Sequence, residues 1–394
     1  MNILIFSSEF PPGPGGIGTH AYQMALQMSM SHWRVLVLAY QDYMSHSEIE
    51  EFNHAQPFEI IQLQRQKHQA ADLRYRWEQL QQTVIKWKPD LLVVTGDRLV
   101  WLTAAAQAVR GLLDRTGIKL PWCAIWHGIH PSNPFQKLMM KWAYSKPDLT
   151  IAVSRYSKSH LLSLGVQSSR VAVIPNGAND KIFFPDLSSG QTLRTKMGFA
   201  DAFVLLTVGH VSHRKGQDIV IRSLPEVLER NPRTYYLIAG LPTMQPELEK
   251  LVNALGIGNH VHFMGRAQQE ELFAAYNACD VFVLVSRHSR DGEYEGYGIV
   301  VSEAALCGKP SVVAENSGLT ETVSDGVTGF VVPENDPHTT AQTILALMEN
   351  SELRKKMALE ARQRAITEQT WEVSMDRYNK AFRQLLLDSG GRRS

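Results

Sequence analysis

The sequence has few cysteines, no long hydrophobic run and almost no net charge. Its only cysteines, Cys123, Cys279 and Cys307, occur in no C-x-x-C spacing, which predicts buried thiols rather than disulfides or a zinc site. No apolar segment reaches the roughly 20 residues that span a bilayer. A net charge of +1 lacks the basic excess typical of nucleic-acid-binding proteins. We therefore expect a cytoplasmic protein with no nucleic-acid partner.

At 394 residues the chain exceeds the size at which one hydrophobic core stops growing, so two domains are expected. Short β-branched runs alternate with amphipathic stretches throughout, which predicts parallel sheets with helices on both faces. We predict an α/β protein with two Rossmann-like doubly wound domains, over 1–182 and 201–370. A linker is predicted over 183–200 and a final helix over 371–394. Because ligands of doubly wound folds bind outside the carboxyl ends of the strands, the active site should draw residues from both domains.

Two glutamates stand eight positions apart in the second half. Glu295 lies in a glycine-rich loop, and Glu303 lies in an apolar run that is typical of a short buried helix. Because charged side chains are rarely buried unpaired, Glu303 requires a partner, and a ligand carrying hydroxyls is one candidate. Gly296 and Gly298 permit close backbone approach, and the helix start beyond them directs N–H groups at an anion.

Two further signals occur in the first half. A glycine-rich turn that contains Gly16 follows the first predicted strand, where its N–H groups could contact a phosphate; a flexible loop is the alternative. His127 ends another strand and is followed by Gly128. A lone histidine is more often structural than catalytic, but the carboxyl end of a strand is where α/β domains expose reactive groups.

A basic loop lies between a strand and a helix of the second half. His210, His213, Arg214 and Lys215 place four potential cations within six positions, which indicates either an anionic ligand or exposure to solvent. A diphosphate would fit without a metal, because Lys and Arg can neutralise a leaving group. No D-x-D pair follows a strand in a position that suits Mg²⁺, so we predict no metal site.

The segment 134–146 interleaves lysines with aromatic residues, as at Lys137, Lys141, Phe135 and Trp142. This pattern is compatible with a helix on an anionic membrane surface. The preferred interpretation is an ordinary amphipathic helix packed on the sheet.

Together these motifs resemble the retaining glycosyltransferases of family 4, which have the GT-B fold. The resemblance covers nearly the whole chain and includes the family's E-x7-E pattern at 295–303. Its other elements are Gly15 and Gly16 with His20, His127 and Gly128, and the segments 174–177, 209–216, 264–266 and 318–321. It implies two domains facing across a cleft, with the helix after Trp371 crossing back to the first domain.

The resemblance also implies roles for individual residues. Glu303 would bind the ribose of a nucleotide sugar, Glu295 the donor sugar, and Lys215 the leaving phosphate, while His127 would face the donor sugar near the reacting carbon. The catalytic residues are therefore predicted to be His127, Lys215 and Glu295. The donor-binding residues are predicted to be Gly16, His210, Arg214, Lys215, Gly265, Arg266, Glu295, Gly296, Tyr297, Gly298, Ile299 and Glu303. The family usually has Arg in place of His210, so the role of His210 stays open and Arg214 is a candidate replacement.

The leading hypothesis is a metal-independent retaining transferase that moves a hexosyl unit from a UDP- or GDP-sugar to a glycan or lipid-linked acceptor. It would act in cell-envelope glycan synthesis by a front-face mechanism, without a cofactor. The local motifs are most similar to mannosyltransferase-type members of the family. The alternatives are a GT-B-fold epimerase or hydrolase of nucleotide sugars and a non-catalytic nucleotide-sugar-binding protein. Peripheral contact with an anionic membrane is left open.

Overall fold

The computed structural model describes residues 1–13, 15–42, 44–96, 99–115, 119–128, 133–289 and 292–390. The chain forms two compact units. One unit contains Met1–Pro175 together with Glu372–Ser394, and the other contains Asn176–Trp371. Each unit has its own parallel sheet and its own hydrophobic core. The predicted α/β class with two Rossmann-like domains is confirmed.

The first unit is built on a seven-stranded sheet in the order β3-β2-β1-β4-β5-β6-β7. The strands are β1 Asn2–Ser7, β2 Arg34–Tyr40, β3 Glu59–Leu63, β4 Leu91–Thr95, β5 Trp122–Trp126, β6 Leu149–Ala152 and β7 Val171–Val173. The sequence predicts six of these strands from hydrophobic runs at 2–6, 34–39, 91–95, 123–126, 149–153 and 171–174. β3 was missed because it is an edge strand whose Glu59 and Gln62 interrupt the apolar pattern.

Seven helices of the described chain connect or flank these strands. They are α1 Gly16–Met30, α2 His46–His54, α3 Gln69–Trp87, α4 Leu99–Asp114, α5 Pro134–Tyr144, α6 Arg155–Ser163 and the final helix, α14 Trp371–Asp388. From Glu372 onward α14 belongs to this unit, as the family resemblance implied. Its Asn379 Oδ1 accepts a hydrogen bond from Trp33 Nε1 at 2.9 Å, and Phe382 is fully buried. No helix in the described ranges is both long enough and apolar enough to span a bilayer.

The second unit is built on a six-stranded sheet in the order β10-β9-β8-β11-β12-β13. Its strands are β8 Phe203–Val208, β9 Thr234–Ala239, β10 Val261–Gly265, β11 Val281–Leu284, β12 Ser311–Ala314 and β13 Gly329–Val332. Its helices are α7 Leu187–Met197, α8 Gln217–Arg230, α9 Gln245–Ala254, α10 Gln269–Ala278, α11 Ile299–Leu306, α12 Pro337–Glu349 and α13 Ser351–Glu368. The short edge strand β13 was not predicted.

The segment 183–200, predicted as a linker, contains helix α7 of the second unit instead. Asp186 caps this helix by accepting from Ser188 N at 3.0 Å. Gly190 allows α7 to approach α10 closely, because a Cβ there would lie 2.6 Å from Asn277 O. A helix held by a cap, a glycine contact and polar bonds has little hydrophobic periodicity, so the sequence pattern did not reveal it.

The strand orders determine where ligands can bind. In the first unit the order reverses between β1 and β4, and in the second between β8 and β11. At such a switch point the loops at the carboxyl ends of neighbouring strands lead to opposite faces of the sheet and leave a crevice. The residues that follow these strands include Gly16, Lys215 and Glu295.

Candidate active site

The basic loop forms a short 3₁₀ turn, His213–Lys215, directly after β8. Gly216 has a φ of 72°, and a Cβ there would lie 2.1 Å from Val285 O beyond β11, so the turn packs directly on backbone. Arg287 fixes it further: its N–H donates to Arg214 O at 2.8 Å and its Nε to His213 O at 2.6 Å. The basic side chains are therefore carried on a rigid turn at the switch point of the sheet.

Lys215, Arg214 and Glu295 form one ion-paired cluster. Lys215 Nζ lies 2.5 Å and Arg214 Nη1 lies 2.8 Å from the same oxygen, Glu295 Oε2. Burial alone would raise the pKa of Glu295, but the two cations outweigh it and hold that pKa at about 2. Burial lowers the pKa of Lys215, with Glu295 opposing the shift. Within the protein, Glu295 therefore supplies one negative charge that the two cations share.

His210 lies beside this cluster without joining it. Its Nε2 is hydrogen-bonded to Thr243 Oγ1, and its carbonyl oxygen accepts from Gln217 Nε2 at 3.2 Å. Partial burial and the charges of Arg214 and Lys215 lower the pKa of His210. The imidazole is therefore neutral at pH 7 and adds no fixed charge.

Glu303 is carried by α11, and its carboxylate has a protein partner. The hydroxyl of Tyr276, on α10, donates to Glu303 Oε2 at 2.6 Å. Desolvation raises the pKa of Glu303 to about 7, although the Tyr276 hydrogen bond opposes the shift. The partner that burial required is thus a tyrosine, and the carboxylate retains acceptor positions for a second donor.

The glycine loop between the two glutamates is closely packed. Gly298 has a φ of 89° as the residue before α11, and a Cβ there would lie 2.4 Å from Leu319 Cδ2. Gly296 is contacted from the other side, since a Cβ on Gly318 would lie 1.9 Å from Gly296 O. Tyr297 is buried, and Ile299 is the first residue of α11. The loop is therefore fixed beside Glu295, whose carbonyl accepts from Gly318 N at 2.9 Å.

Gly265 and Arg266 lie apart from this cluster. Gly265 ends β10, the edge strand, and its carbonyl accepts from Gly240 N at 2.8 Å. β9 separates β10 from β8 in the sheet. A Cβ on Gly265 would meet no atom of the described ranges within 4 Å, so its backbone is open to a ligand.

In the first unit, Gly16 ends the loop that follows β1, and His127 directly follows β5. Gly16 is the first residue of α1, and a Cβ there would meet no atom of the described chain within 4 Å. His127 Nε2 is hydrogen-bonded to Thr95 Oγ1 at 2.7 Å. The ring of His20, one turn into α1, packs edge-to-face on His127 with centroids 4.9 Å apart. Desolvation lowers the pKa of His127 to about 4, so the imidazole is neutral.

Four residues that contact the predicted site were not anticipated from the sequence: Tyr276, Arg287, Thr95 and Tyr378. Each contacts a predicted residue or its neighbour from a distant part of the chain. The one available signal was the need of buried Glu303 for a partner, which did not identify Tyr276. The described residues hold no group of three or more His, Cys, Asp or Glu side chains placed to bind a metal.

Comparisons with known proteins agree with this architecture. Residues 14–181 match the family model described as Glycosyltransferase Family 4, and residues 191–364 match the one described as Glycosyl transferases group 1. The GDP-mannose-dependent alpha-(1-6)-phosphatidylinositol monomannoside mannosyltransferase of Mycolicibacterium smegmatis is 31% identical over 280 residues, which cover 70% of this chain and 73% of that protein. A D-inositol 3-phosphate glycosyltransferase of Thermomonospora curvata is 29% identical over 68% of this chain and 64% of that protein.

Solved structures show the same fold. HepE of Anabaena, in complex with UDP-glucose, superposes with a TM-score of 0.80 at 22% identity, covering 98% of this chain and 100% of HepE. Sucrose-phosphate synthase of Thermosynechococcus elongatus also gives 0.80, at 20% identity over 98% and 99% of the two chains. The fold and the match define a hexosyltransferase of the GT-B class. The chain belongs to glycosyltransferase family 4.

Proposed function

We propose that this enzyme is a retaining, metal-independent glycosyltransferase that moves a hexosyl unit from a GDP- or UDP-sugar to a lipid-linked or glycan acceptor in cell-envelope synthesis. The observation that carries the proposal is the cluster of Lys215 and Arg214 on one carboxylate oxygen of Glu295. Two cations on a rigid turn at a switch point suit a diphosphate. Glu303 is held by Tyr276 with acceptor positions left for the ribose hydroxyls.

The contacts suggest a separate role for each of these side chains in hexosyl transfer. Lys215 and Arg214 would stabilise the negative charge that grows on the leaving diphosphate, and they need no metal to do so. Lys215 and Arg214 hold Glu295 ionised at neutral pH, so its carboxylate could accept hydrogen bonds from the donor sugar while the same two cations contact the diphosphate. Backbone N–H groups at Gly16 and at 296–299 would hold the diphosphate and sugar. Neutral His127 would face the sugar, and a phosphate oxygen would take the acceptor's proton as attack proceeds from the face that the diphosphate leaves.

The relatives favour GDP-mannose as the first donor to test. Two of the most similar proteins are named as GDP-mannose-dependent mannosyltransferases that act on phosphatidylinositol monomannosides. The base would lie near Gly265 and Arg266, beyond β10, where the open backbone of Gly265 can approach it. We therefore extend the proposal to a mannosyl donor and a phosphoinositide-type glycolipid acceptor.

Binding and transfer can be tested together. A thermal-shift comparison of GDP-mannose, UDP-glucose, GDP and UDP identifies base and sugar, because a ligand that binds only the folded state raises Tm. Transfer to a phosphatidylinositol mannoside is then measured with and without EDTA, and NMR reads the anomeric configuration of the product. Loss of activity in EDTA that Mn²⁺ restores would disprove metal independence, and an inverted anomer would disprove retention. Free sugar or an isomer formed from donor alone would instead indicate a hydrolase or epimerase.

We also propose that α5 contacts an anionic membrane. Phe135 and Leu138 are 73% and 63% exposed, and Lys137 and Lys141 on the same helix are exposed too. Apolar side chains flanked by lysines suit an interface with anionic headgroups. Lys137→Glu with Lys141→Glu should abolish sedimentation with phosphatidylglycerol vesicles, whereas Lys250→Glu on exposed α9 should not. Unchanged sedimentation of the α5 variant would exclude this helix as the contact.

A further inference from the structure

A buried row of side chains connects the final helix to His127 within the first unit. The hydroxyl of Tyr378, on α14, lies 3.0 Å from His20 Nε2. The His20 ring meets the His127 ring edge-to-face, at 4.9 Å between centroids and 76° between planes. On its other side His127 Nε2 lies 2.7 Å from Thr95 Oγ1. Tyr378, His20 and Thr95 are fully buried, so solvent does not compete for these contacts.

The direction of the two hydrogen bonds follows from the hydroxyl protons. A buried O–H needs an acceptor. In the described ranges, the structure gives the Tyr378 hydroxyl one hydrogen-bond partner, His20 Nε2, and the Thr95 hydroxyl one partner, His127 Nε2. Each hydroxyl therefore donates to an unprotonated Nε2, and both imidazoles carry their proton on Nδ1.

The protonation states agree with this assignment. Burial raises the pKa of Tyr378 well above its ordinary value, with Cys123 adding to the shift, so its hydroxyl stays protonated. Burial, and then the neighbouring His127, lower the pKa of His20. Both histidines are therefore neutral at pH 7, and the close ring contact disfavours the state in which both are charged.

We propose that Tyr378 and His20 are positioning residues for His127: Tyr378 holds His20 as the Nδ1–H tautomer, and the His20 ring then fixes the His127 ring with its Nδ1–H available to a sugar oxygen. The described residues give His127 Nδ1 no hydrogen-bond partner, and the bond from Thr95 leaves this nitrogen as the donor. The inference rests on the proposed role of His127 at the donor sugar. It makes α14 part of the active-site support.

Removing the Tyr378 hydroxyl should not detach α14. Trp33 Nε1 donates to Asn379 Oδ1 at 2.9 Å, and Ser374 Oγ donates to the carbonyl oxygen of Pro175 at 2.6 Å. Phe382 is fully buried. These contacts are independent of the hydroxyl, so Tyr378→Phe can probe positioning without loss of the helix. Tyr236→Phe is the matched control, because it removes an equally buried hydroxyl, bound to Thr207 at 2.7 Å in the second unit.

The decisive measurement is the tautomer of the two imidazoles. Long-range ¹⁵N–¹H correlation spectra of the full chain, labelled at its 14 histidines, report it, and the spectra of His20→Gln and His127→Gln assign the signals. We expect the neutral Nδ1–H form for both at pH 7. Tyr378→Phe should populate the Nε2–H form of His20 and shift the His127 signals, whereas Tyr236→Phe should change neither. An Nε2–H form of His20 in the wild type, or an unchanged spectrum of Tyr378→Phe, would overturn the proposal.

Kinetics provide the second readout, with GDP-mannose or UDP-glucose as the thermal-shift comparison selects. Tyr378→Phe should lower kcat about three- to tenfold, the range expected for one hydrogen bond, with the donor KM within twofold. His20→Gln, which keeps an acceptor for Tyr378, should retain more activity than His20→Ala. An unchanged kcat beside an altered tautomer would refute positioning. Wild-type turnover of His127→Gln would instead refute the proposed role of His127, and the spectra would still decide whether Tyr378 sets the tautomer.

Discussion

Glu295 and Glu303 are identical side chains only eight positions apart, yet their environments separate their pKa values to about 2 and about 7. Both carboxyl groups are largely shielded from water, and this desolvation raises the pKa of each in favour of the neutral acid. Glu295 faces two cations, so it remains a carboxylate, whereas the neutral hydroxyl of Tyr276 only partly offsets the burial of Glu303. One residue type therefore serves as a permanent anion and as a group that titrates near neutrality.

Donor binding should weaken as pH falls through about 7. Below that pKa Glu303 is protonated and accepts hydrogen bonds from the ribose hydroxyls less well, so binding must release a proton. Calorimetry with GDP-mannose, or UDP-glucose if it is the donor, should show Kd rising about fourfold between pH 8 and pH 6.5. The titration should be confined to pH 6.5 and above, because the pKa of His210 is lowered from 6.5 and this residue becomes protonated below that range.

Glu303→Gln should bind more weakly and remove this pH dependence. Glu360 is an exposed residue on α13, and the control variant Glu360→Gln should retain the pH dependence of donor binding. A pH slope that persists in Glu303→Gln would assign the titration to another group.

Glu295→Gln should separate diphosphate binding from transfer. The variant removes the anion that occupies Lys215 and Arg214, so GDP, which has no sugar, should bind several-fold more tightly. The free energy of unfolding without ligand should fall by about 3 kcal/mol, because two mostly buried cations lose their partner. Transfer should decline, since the sugar loses a carboxylate acceptor.

Glu293→Gln is the control for this substitution. Glu293 is 60% exposed and lies 3.8 Å from Arg214 Nε, so the change in unfolding free energy should stay within about 0.5 kcal/mol. Weaker GDP binding by Glu295→Gln would show that its carboxylate does not compete with phosphate.

At the scale of secondary-structure elements, α1 begins with a glycine, Gly16, although packing within the described protein does not require a glycine there. Among the described residues, no atom would lie within 4 Å of a Cβ on Gly16, and Ala is a better helix former than Gly. Gly16→Ala should therefore leave the free energy of unfolding within about 1 kcal/mol of the wild type. If the backbone approaches the diphosphate, the added methyl group should weaken donor binding at least tenfold.

Gly111→Ala in α4 is the matched control, since its Cβ would also meet nothing within 4 Å in the part of the chain that the structure describes. Gly111→Ala should change the free energy of unfolding as little as Gly16→Ala does. It should leave the affinity for the donor unchanged. Wild-type donor affinity of Gly16→Ala would show that Gly16 is not a phosphate contact.

Secondary structure was predictable where burial alone shapes the sequence. Central strands such as β4 and β11 are buried on both faces and appear as uninterrupted apolar runs. The edge strands β3 and β13 carry exposed or half-buried positions, and α7 depends on its Asp186 cap and on Gly190. These features depend on neighbours elsewhere in the chain, which a local pattern does not contain.

For the whole molecule, the order of motifs predicted the family and the two-domain class, which the comparisons confirm. The motifs also selected Lys215, Arg214 and Glu295, which the fold brings together. They did not reveal that Lys215 and Arg214 share one oxygen of Glu295, that Tyr276 binds Glu303, or that Tyr378 binds His20. Pairings between side chains 27 or 358 positions apart arise only from the tertiary fold. The roles of the site residues stay predictions until the variants are measured.

The two units, whose core clusters are separate, predict two unfolding transitions in calorimetry. Leu36 lies in the core of the first unit and Leu206 in a core of the second, both buried. Leu36→Ala and Leu206→Ala should each lower one transition, by about 2–5 kcal/mol of unfolding free energy. Because Lys215, Glu295 and Glu303 all lie in the second unit, GDP should raise the transition that Leu206→Ala lowers. If both variants and GDP moved a single common transition, the units would unfold as one cooperative body, and the assignment of nucleotide stabilisation to the second unit would fail.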